Sequence, residues 1–361
     1  MRYLLAATLI TVLLLSACSA SRQKLSPQAN VALKDANVYY QQKNVEKALE
    51  SYLKVLKDNP DHVIALRRVA DINLYFGEQY QSKAIEFNQK AFENYAKAIA
   101  VTETFTKLNE DDQADLRDMK RRQKGAWSRV FGASDQLLQQ GNTSDALKGF
   151  QIAAQLDPER IEPLIKMKDI YEKELKDPSK AESIMLQLYE KKPKEVLLLQ
   201  EIGAFYFNKP DYNKALEFFQ KASAENPLDT NILMNISFCY YELKDYLNSL
   251  IATEKVLQVE PSNLDALRNA RAIAIQLNQN DKAIAYMIQI LQISESDEDY
   301  LALCRLLSNG QRFEELVVWA EKWFKYDPTS VMAAQFAQLA ATRLNNKALI
   351  DKYNGILKNL Q

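Results

Sequence analysis

The 361-residue sequence predicts an all-α solenoid of stacked antiparallel helix pairs, on three observations. Pro60, Pro158, Pro193, Pro227, Pro261 and Pro328 each close an amphipathic stretch. Their intervals of 98, 35, 34, 34 and 67 residues are close to multiples of 34, apart from the first. Between these prolines apolar residues return every three or four positions, the period of a helix face. The chain also keeps only 8 Gly, as a nearly all-helical protein should, because Gly inside a helix is about 1 kcal/mol less favourable than Ala.

The N-terminal segment stands apart from this pattern. Arg2 supplies a positive charge, and residues 4–15 form an uncharged, mostly apolar run. That run is too short for a permanent membrane span but suits the apolar core of a secretory signal. It ends in Leu15-Ser16-Ala17-Cys18, which resembles the lipidation box of bacterial lipoproteins: an aliphatic residue, two small ones and the acylated Cys. The resemblance implies a signal peptide over 1–17, a lipid on Cys18 and, because Ser19 rather than Asp follows, delivery to the outer membrane facing the periplasm. Residues 18–28, polar and containing Pro27, read as a lipidated Cys with a short flexible tether.

The repeats run over 29–330. The unit at 196–229 carries Leu199, Ile202, Gly203 and Tyr206 on its first helix, then Ala215, Phe219, Ala222 and Pro227 on its second helix and closing turn. Small residues at Gly203 and Ala215 let two helices approach, Tyr206 and Phe219 fill the space between layers, and Pro227 ends the second helix. The same frame holds Ala36, Tyr39, Ala48, Tyr52 and Pro60 in the first unit. Leu164 to Pro193 marks a fourth unit with one extra residue, and Ser249 stands at the small position of the sixth. Glu295 replaces the proline of the seventh. This arrangement resembles the tetratricopeptide repeat (TPR) family, whose 34-residue unit is a helix pair with the pattern W-x2-L-G-x2-Y and A-x3-F. The resemblance implies a right-handed superhelix of about eight repeats, with 331–361 as a capping helix pair.

The long first interval holds an irregularity. Ala84, Asn88, Ala91, Tyr95, Ala98, Thr102 and Phe105 recur at alternating steps of four and three. After Asn109-Glu110-Asp111, Leu116, Met119, Gln123, Ala126, Val130, Ala133 and Leu137 do the same. Two such seams joined by an acidic turn predict an elongated helical hairpin over 80–141, its tip projecting past the ordinary repeats. Lys120, Arg121, Arg122 and Lys124 form a basic cluster expected near that tip. It reads either as a docking site or as a solvated face.

Composition narrows the chemistry. Lys plus Arg total 46 against 47 for Asp plus Glu, so no net field draws the chain to nucleic acid. The one histidine, His62, follows Pro60 in a turn and has no Cys or His at metal-ligand spacing, so it is expected in solvent. Cys239 and Cys304 lie two repeats apart and are expected as buried free thiols. No phosphate loop, nucleophile elbow or metal-ligating helix motif occurs. No catalytic residue, metal or cofactor is assigned, and the expectation is a binding protein rather than an enzyme.

In the TPR family the first helices line a concave face. Carried onto this chain, that face would hold Phe207, Asn208, Asn231, Met234, Asn235, Phe238, Tyr241, Arg268 and Asn269, a mixture suited to an extended peptide. The aromatics would equally serve as packing between neighbouring helices. A carboxylate clamp is not matched, since Gln200, Ala204, Asp265 and Asn269 stand at its positions. The resemblance therefore implies a lipid-anchored scaffold that binds partner proteins in the bacterial envelope. It is of the kind seen in outer-membrane barrel assembly, type IV pilus pilotins and activators of peptidoglycan synthases. A component that binds envelope glycan or another substrate, and a regulator of a peptidoglycan-synthesising enzyme, stand as alternatives.

Overall fold

A computed structural model describes residues 23–360. The expected signal peptide and Cys18 lie outside the described residues. Among the described residues the chain is all-α, with eighteen α-helices and no strand. Helices α1 Pro27–Gln41, α2 Val45–Asp58, α3 Val63–Gln79, α4 Ala84–Glu103, α5 Glu110–Gln139, α6 Thr143–Leu156, α7 Glu162–Asp169 and α8 Pro178–Lys191 form one compact unit. The second unit, from Lys192, holds α9 Val196–Asn208, α10 Tyr212–Glu225, α11 Thr230–Glu242, α12 Tyr246–Val259 and α13 Leu264–Gln276. It continues through α14 Asn280–Ile293, α15 Asp297–Asn309, α16 Phe313–Tyr326, α17 Val331–Arg343 and α18 Lys347–Leu360. The chain divides at residue 192, in a turn that carries Lys192, Pro193 and Lys194.

The first unit corrects three expectations. Residues 23–28 are not a free tether: Ser26 caps α1 by accepting from the Ala29 N–H (3.2 Å), with Pro27 at the first helical position. The segment is also strapped to the α2–α3 turn. Gln23 donates to the Asp61 carbonyl (2.6 Å) and accepts from the Val63 N–H (2.8 Å), and the Ser26 N–H donates to Asp58 (3.1 Å). Under this strap His62 is not solvated. It is 2% exposed, and its Nδ1 caps α3 by accepting from the Ala65 N–H (3.3 Å).

The third correction concerns the hairpin. Residues 80–141 hold α4 and α5, joined by 104–109, but the far end does not project. Phe105 and Leu116 pack with Leu56 and Ile64 against a cluster of Val63, Leu66, Tyr95, Ile99 and Met119, so the end of the hairpin lies on the start of α3. The acidic turn is the first turn of α5. Asn109 and Asp112 form a reciprocal capping box, and Glu110, Asp111 and Asp112 sit where the helix dipole favours negative charge.

Charge seals the same interface. Asp71 on α3 accepts from the Tyr95 hydroxyl (2.5 Å) and from Arg122 (3.4 Å), while Arg67 pairs with Asp115 (2.5 Å) and Asp118 (3.2 Å). Burial and the Asp71 carboxylate push the Tyr95 hydroxyl well up. It therefore stays a donor at any physiological pH.

Backbone geometry carries the repeat. Lys43, Gly141, Lys176, Lys244, Asn278, Gln311 and Asn345 all have positive φ, each in the turn between the first and second helix of a pair. The fourth pair absorbs its extra residue in a π-helical turn over Ile170–Glu174, where the Leu175 N–H reaches the Ile170 carbonyl (3.0 Å). At Glu295, where proline is missing, Ser296 caps α15 by accepting from the Asp299 N–H (3.1 Å).

Close approach within the second unit is achieved in two ways. A Cβ on Gly203 would stand 2.8 Å from the Phe219 ring, so only Gly admits that ring. One repeat later Ser237, Ser249 and Thr253 occupy the equivalent positions, all buried. Ser237 and Thr253 hydroxyls lie 2.6 Å apart, and Ser249 donates to the Ser237 carbonyl (2.9 Å). Mutual bonding removes the penalty of burying three hydroxyls.

Candidate protein-binding face

The nine face residues lie on α9, α11 and α13, each a first helix of its pair. The caps set where these helices begin. Asp229 accepts from the Asn231 and Ile232 N–H groups (3.0 and 3.1 Å) ahead of α11, and Asn263 from the Ala266 N–H (3.0 Å) ahead of α13. The buried stripes are Leu199, Ile202, Gly203 and Tyr206 on α9, Leu233, Ile236, Ser237 and Cys239 on α11, and Ala266, Leu267, Ala270 and Ile273 on α13. Residues on the opposite side of each helix are left outward.

Phe238 and Tyr241 stand 39% and 36% exposed. Each therefore has a part of its ring in contact with the fold and a part in solvent. Phe207 is half-buried, its ring set edge-on to Tyr212 (5.3 Å between centroids, 66°). Tyr241 makes the same arrangement with Tyr246 (5.3 Å, 65°), one repeat later. Each pair spans the turn between a first and a second helix, which fixes the ring edge without covering it. Asn208 and Asn231 are exposed, and Asn235 and Asn269 half-buried.

Two residues are less available than expected. Met234 is half-buried against Leu233, Val256 and Ala266, so it serves mainly as packing. Arg268 is drawn toward Asp299 on α15 (3.9 Å), as is Arg271 (3.6 Å), and Asp299 itself is 6% exposed. The sequence reading missed Ile275, 40% exposed, which occupies the position of Tyr241 one repeat on. The 34-residue period alone would have found it.

The basic cluster is displaced from the hairpin end. Lys120 to Lys124 lie 10 to 14 residues into α5, roughly 15–21 Å from its start at 1.5 Å per residue. Lys120 pairs with Glu103 (2.5 Å), Arg121 with Asp118 (2.6 Å) and Arg122 with Asp118 (2.7 Å) and Asp71 (3.4 Å). Lys124 is exposed. Most of this charge already has a partner within the fold.

Cys239 and Cys304 are buried and unbonded, and burial pushes both thiols up to about 12, so neither is a thiolate at neutral pH. Among the described residues no group of His, Cys, Asp or Glu is placed to hold a metal ion, and no helix is long and apolar enough to cross a membrane.

No protein-family model matches the sequence, and no curated protein matches it. Similar solved structures include the MamA protein, with a TM-score of 0.40 and 17% identity over 46% of this chain and 91% of that one. PilF of Pseudomonas aeruginosa matches with a TM-score of 0.37 and 16% identity, over 59% of this chain and 97% of that one. YrrB, described as a TPR protein with an unusual peptide-binding site, matches with a TM-score of 0.37 and 16% identity, over 49% and 92%.

Proposed function

We propose that the protein is a scaffold of the bacterial cell envelope, anchored by lipid on Cys18, that binds partner proteins through the outward face of α9, α11 and α13. The single observation carrying the reading is the exposure of Phe238 and Tyr241 on a face whose neighbours are carboxamides. Exposed rings, with only two side-chain torsions each, give contact area at little entropic cost, and Asn208, Asn231 and Asn235 can pair with a peptide backbone. The reading requires no catalytic step. Its cellular task is assembly of an outer-membrane, secretion or pilus complex.

The test uses a photo-crosslinking residue at position 238 in the full chain, in cells, with the same residue at exposed Glu217 on α10 as control. A partner captured at 238 and not at 217 is expected, and its affinity for Phe238→Ala/Tyr241→Ala should fall at least tenfold. Equal capture at both positions, or unchanged affinity, would sink the proposal. Anchoring is tested separately: Cys18→Ala should move the protein from the membrane pellet to the soluble periplasmic fraction. A variant still wholly in the pellet would remove lipid as the main tether.

A further inference from the structure

A groove of about 900 Å³ opens in the first unit where α4 begins, and none of its lining residues belongs to the proposed face. Its cause is a mismatch of helix lengths. Helix α4 has 20 residues and α5 has 30, and Ile85 near the start of α4 already lies over Ser134 and Gly149. The last turn of α5 therefore runs on past α4, and only the 3-10 turn Gln81–Lys83 stands beside it. A regular repeat would cover that stretch with a second helix.

The lining chemistry defines a ligand. Ile85, Leu137 and Ile152 supply the apolar part, and Gln81, Gln89, Gln136, Gln140 and Asn142 supply five carboxamides. Charge is balanced: the lining cations are Lys83 and Lys148, the anions Glu86 and Asp145. Lys148 pairs with Asp145 (2.9 Å), and Glu86 with Lys90 (2.6 Å). Gln136 and Gln140 are exposed, and within the described residues their carboxamides bond to no protein group. A carboxamide both donates and accepts, as a peptide backbone does. Two lining cations against two lining anions leave no net charge to recruit an ionic ligand, and no aromatic ring lines the groove to stack on a sugar.

The geometry points to a second peptide site: this groove takes an extended, uncharged segment of a partner protein. The Gln136 and Gln140 carboxamides pair with its backbone, and one apolar side chain rests on Ile85, Leu137 and Ile152. The volume suits it, near the upper end of the roughly 300–1,000 Å³ of ordinary ligand sites. Nothing in this assignment depends on the face of α9, α11 and α13.

The test is a phage-displayed library of random seven-residue peptides panned on the full chain from Cys18 onward. Enriched sequences are synthesised with capped ends and titrated by calorimetry. Uncharged peptides with at least one large apolar residue should enrich. They should lose at least tenfold in affinity for Gln136→Ala/Gln140→Ala, with Phe238→Ala/Tyr241→Ala binding as wild type does. In wild type the bound peptide should slow amide exchange over 133–152, a readout that needs no variant to fold. The inference is overturned by failure of any sequence to enrich, by affinity unchanged in the glutamine variant, or by exchange protection elsewhere. Binding of chitohexaose in place of peptides would overturn it too.

Discussion

Gly149→Ala should lower stability by about 1–2 kcal/mol, while Gly125→Ala and Gly132→Ala should each raise it by about 0.5–1 kcal/mol. All three positions are helical, so the gain in propensity is the same, and what differs is the space around the new methyl. At Gly149 it would stand 2.1 Å from Ser134 Oγ, 2.9 Å from Ser134 Cβ and 2.7 Å from Ile85 Cδ1. At Gly125 and Gly132 nothing lies within 4 Å. Ile85 can turn aside, but Ser134 Cβ is fixed to its helix, so α5 and α6 must separate. Overpacking of this kind costs about 1–3 kcal/mol and outweighs the propensity gain. Adding Ser134→Ala removes the worst contact but leaves its Cβ, so the double variant should recover only part of the loss. Urea unfolding followed by circular dichroism measures all four variants. A Gly149→Ala protein as stable as wild type would mean that the two helices are not in close contact.

Periodicity marks which residues of a helix are buried, and Asn88, Ala91, Tyr95, Ala98 and Thr102 of the α4 seam are all buried as the alternating steps required. Periodicity does not say against what. The far end of the hairpin folds onto α3 because Val63, Leu66 and Ala70 present an apolar stripe there. The contacts that close it, such as Arg122 with Asp71, join residues 51 positions apart. Distance in sequence hid His62 in the same way, because Gln23 and Ser26 that strap its turn come from the segment read as a tether. Phe238 and Tyr241 were legible as positions in the frame. Their exposure was not, since it depends on how closely neighbouring repeats approach. The positive-φ turns were illegible for a different reason: Lys and Gln occupy most of them, and local preference for Gly or Asn is overridden by the packing on either side.

Acidification should loosen the N-terminal strap, and His62 should be the cause. Burial lowers the His62 pKa below its ordinary value, so in the folded chain the ring is neutral and its Nδ1 is free to cap α3. As pH falls below about 6.5 the unfolded chain takes up a proton that the folded chain refuses. Stability is thus complete above that pH and declines below it, by at most about 1.4 kcal/mol per pH unit, until the lowered folded value is passed. Protonation also turns the capping acceptor into a donor that faces the N-terminus of α3, where positive charge is unfavourable. The charged groups around the turn are Asp61, paired with Lys97 of α4 (3.4 Å), and Asp58 of α2. Asp58 is held below the usual carboxylate range by the Ser26 N–H, so it remains ionised through this window and its own loss comes at lower pH. His62→Asn keeps a side-chain cap without a titrating group and should show no stability change between pH 7.5 and 5.5. His62→Ala, which also lacks a titrating group, should lie about 1 kcal/mol below His62→Asn at both. Because His62 is the chain's only histidine, one imidazole resonance reports its titration without assignment. A midpoint at or above 6.5, or equal pH dependence in wild type and His62→Asn, would remove the histidine as the cause. Release of residues 23–26 adds about 14 Å of reach at some 3.5 Å per residue. With lipid on Cys18 as proposed, acid would then let the scaffold stand farther from its membrane.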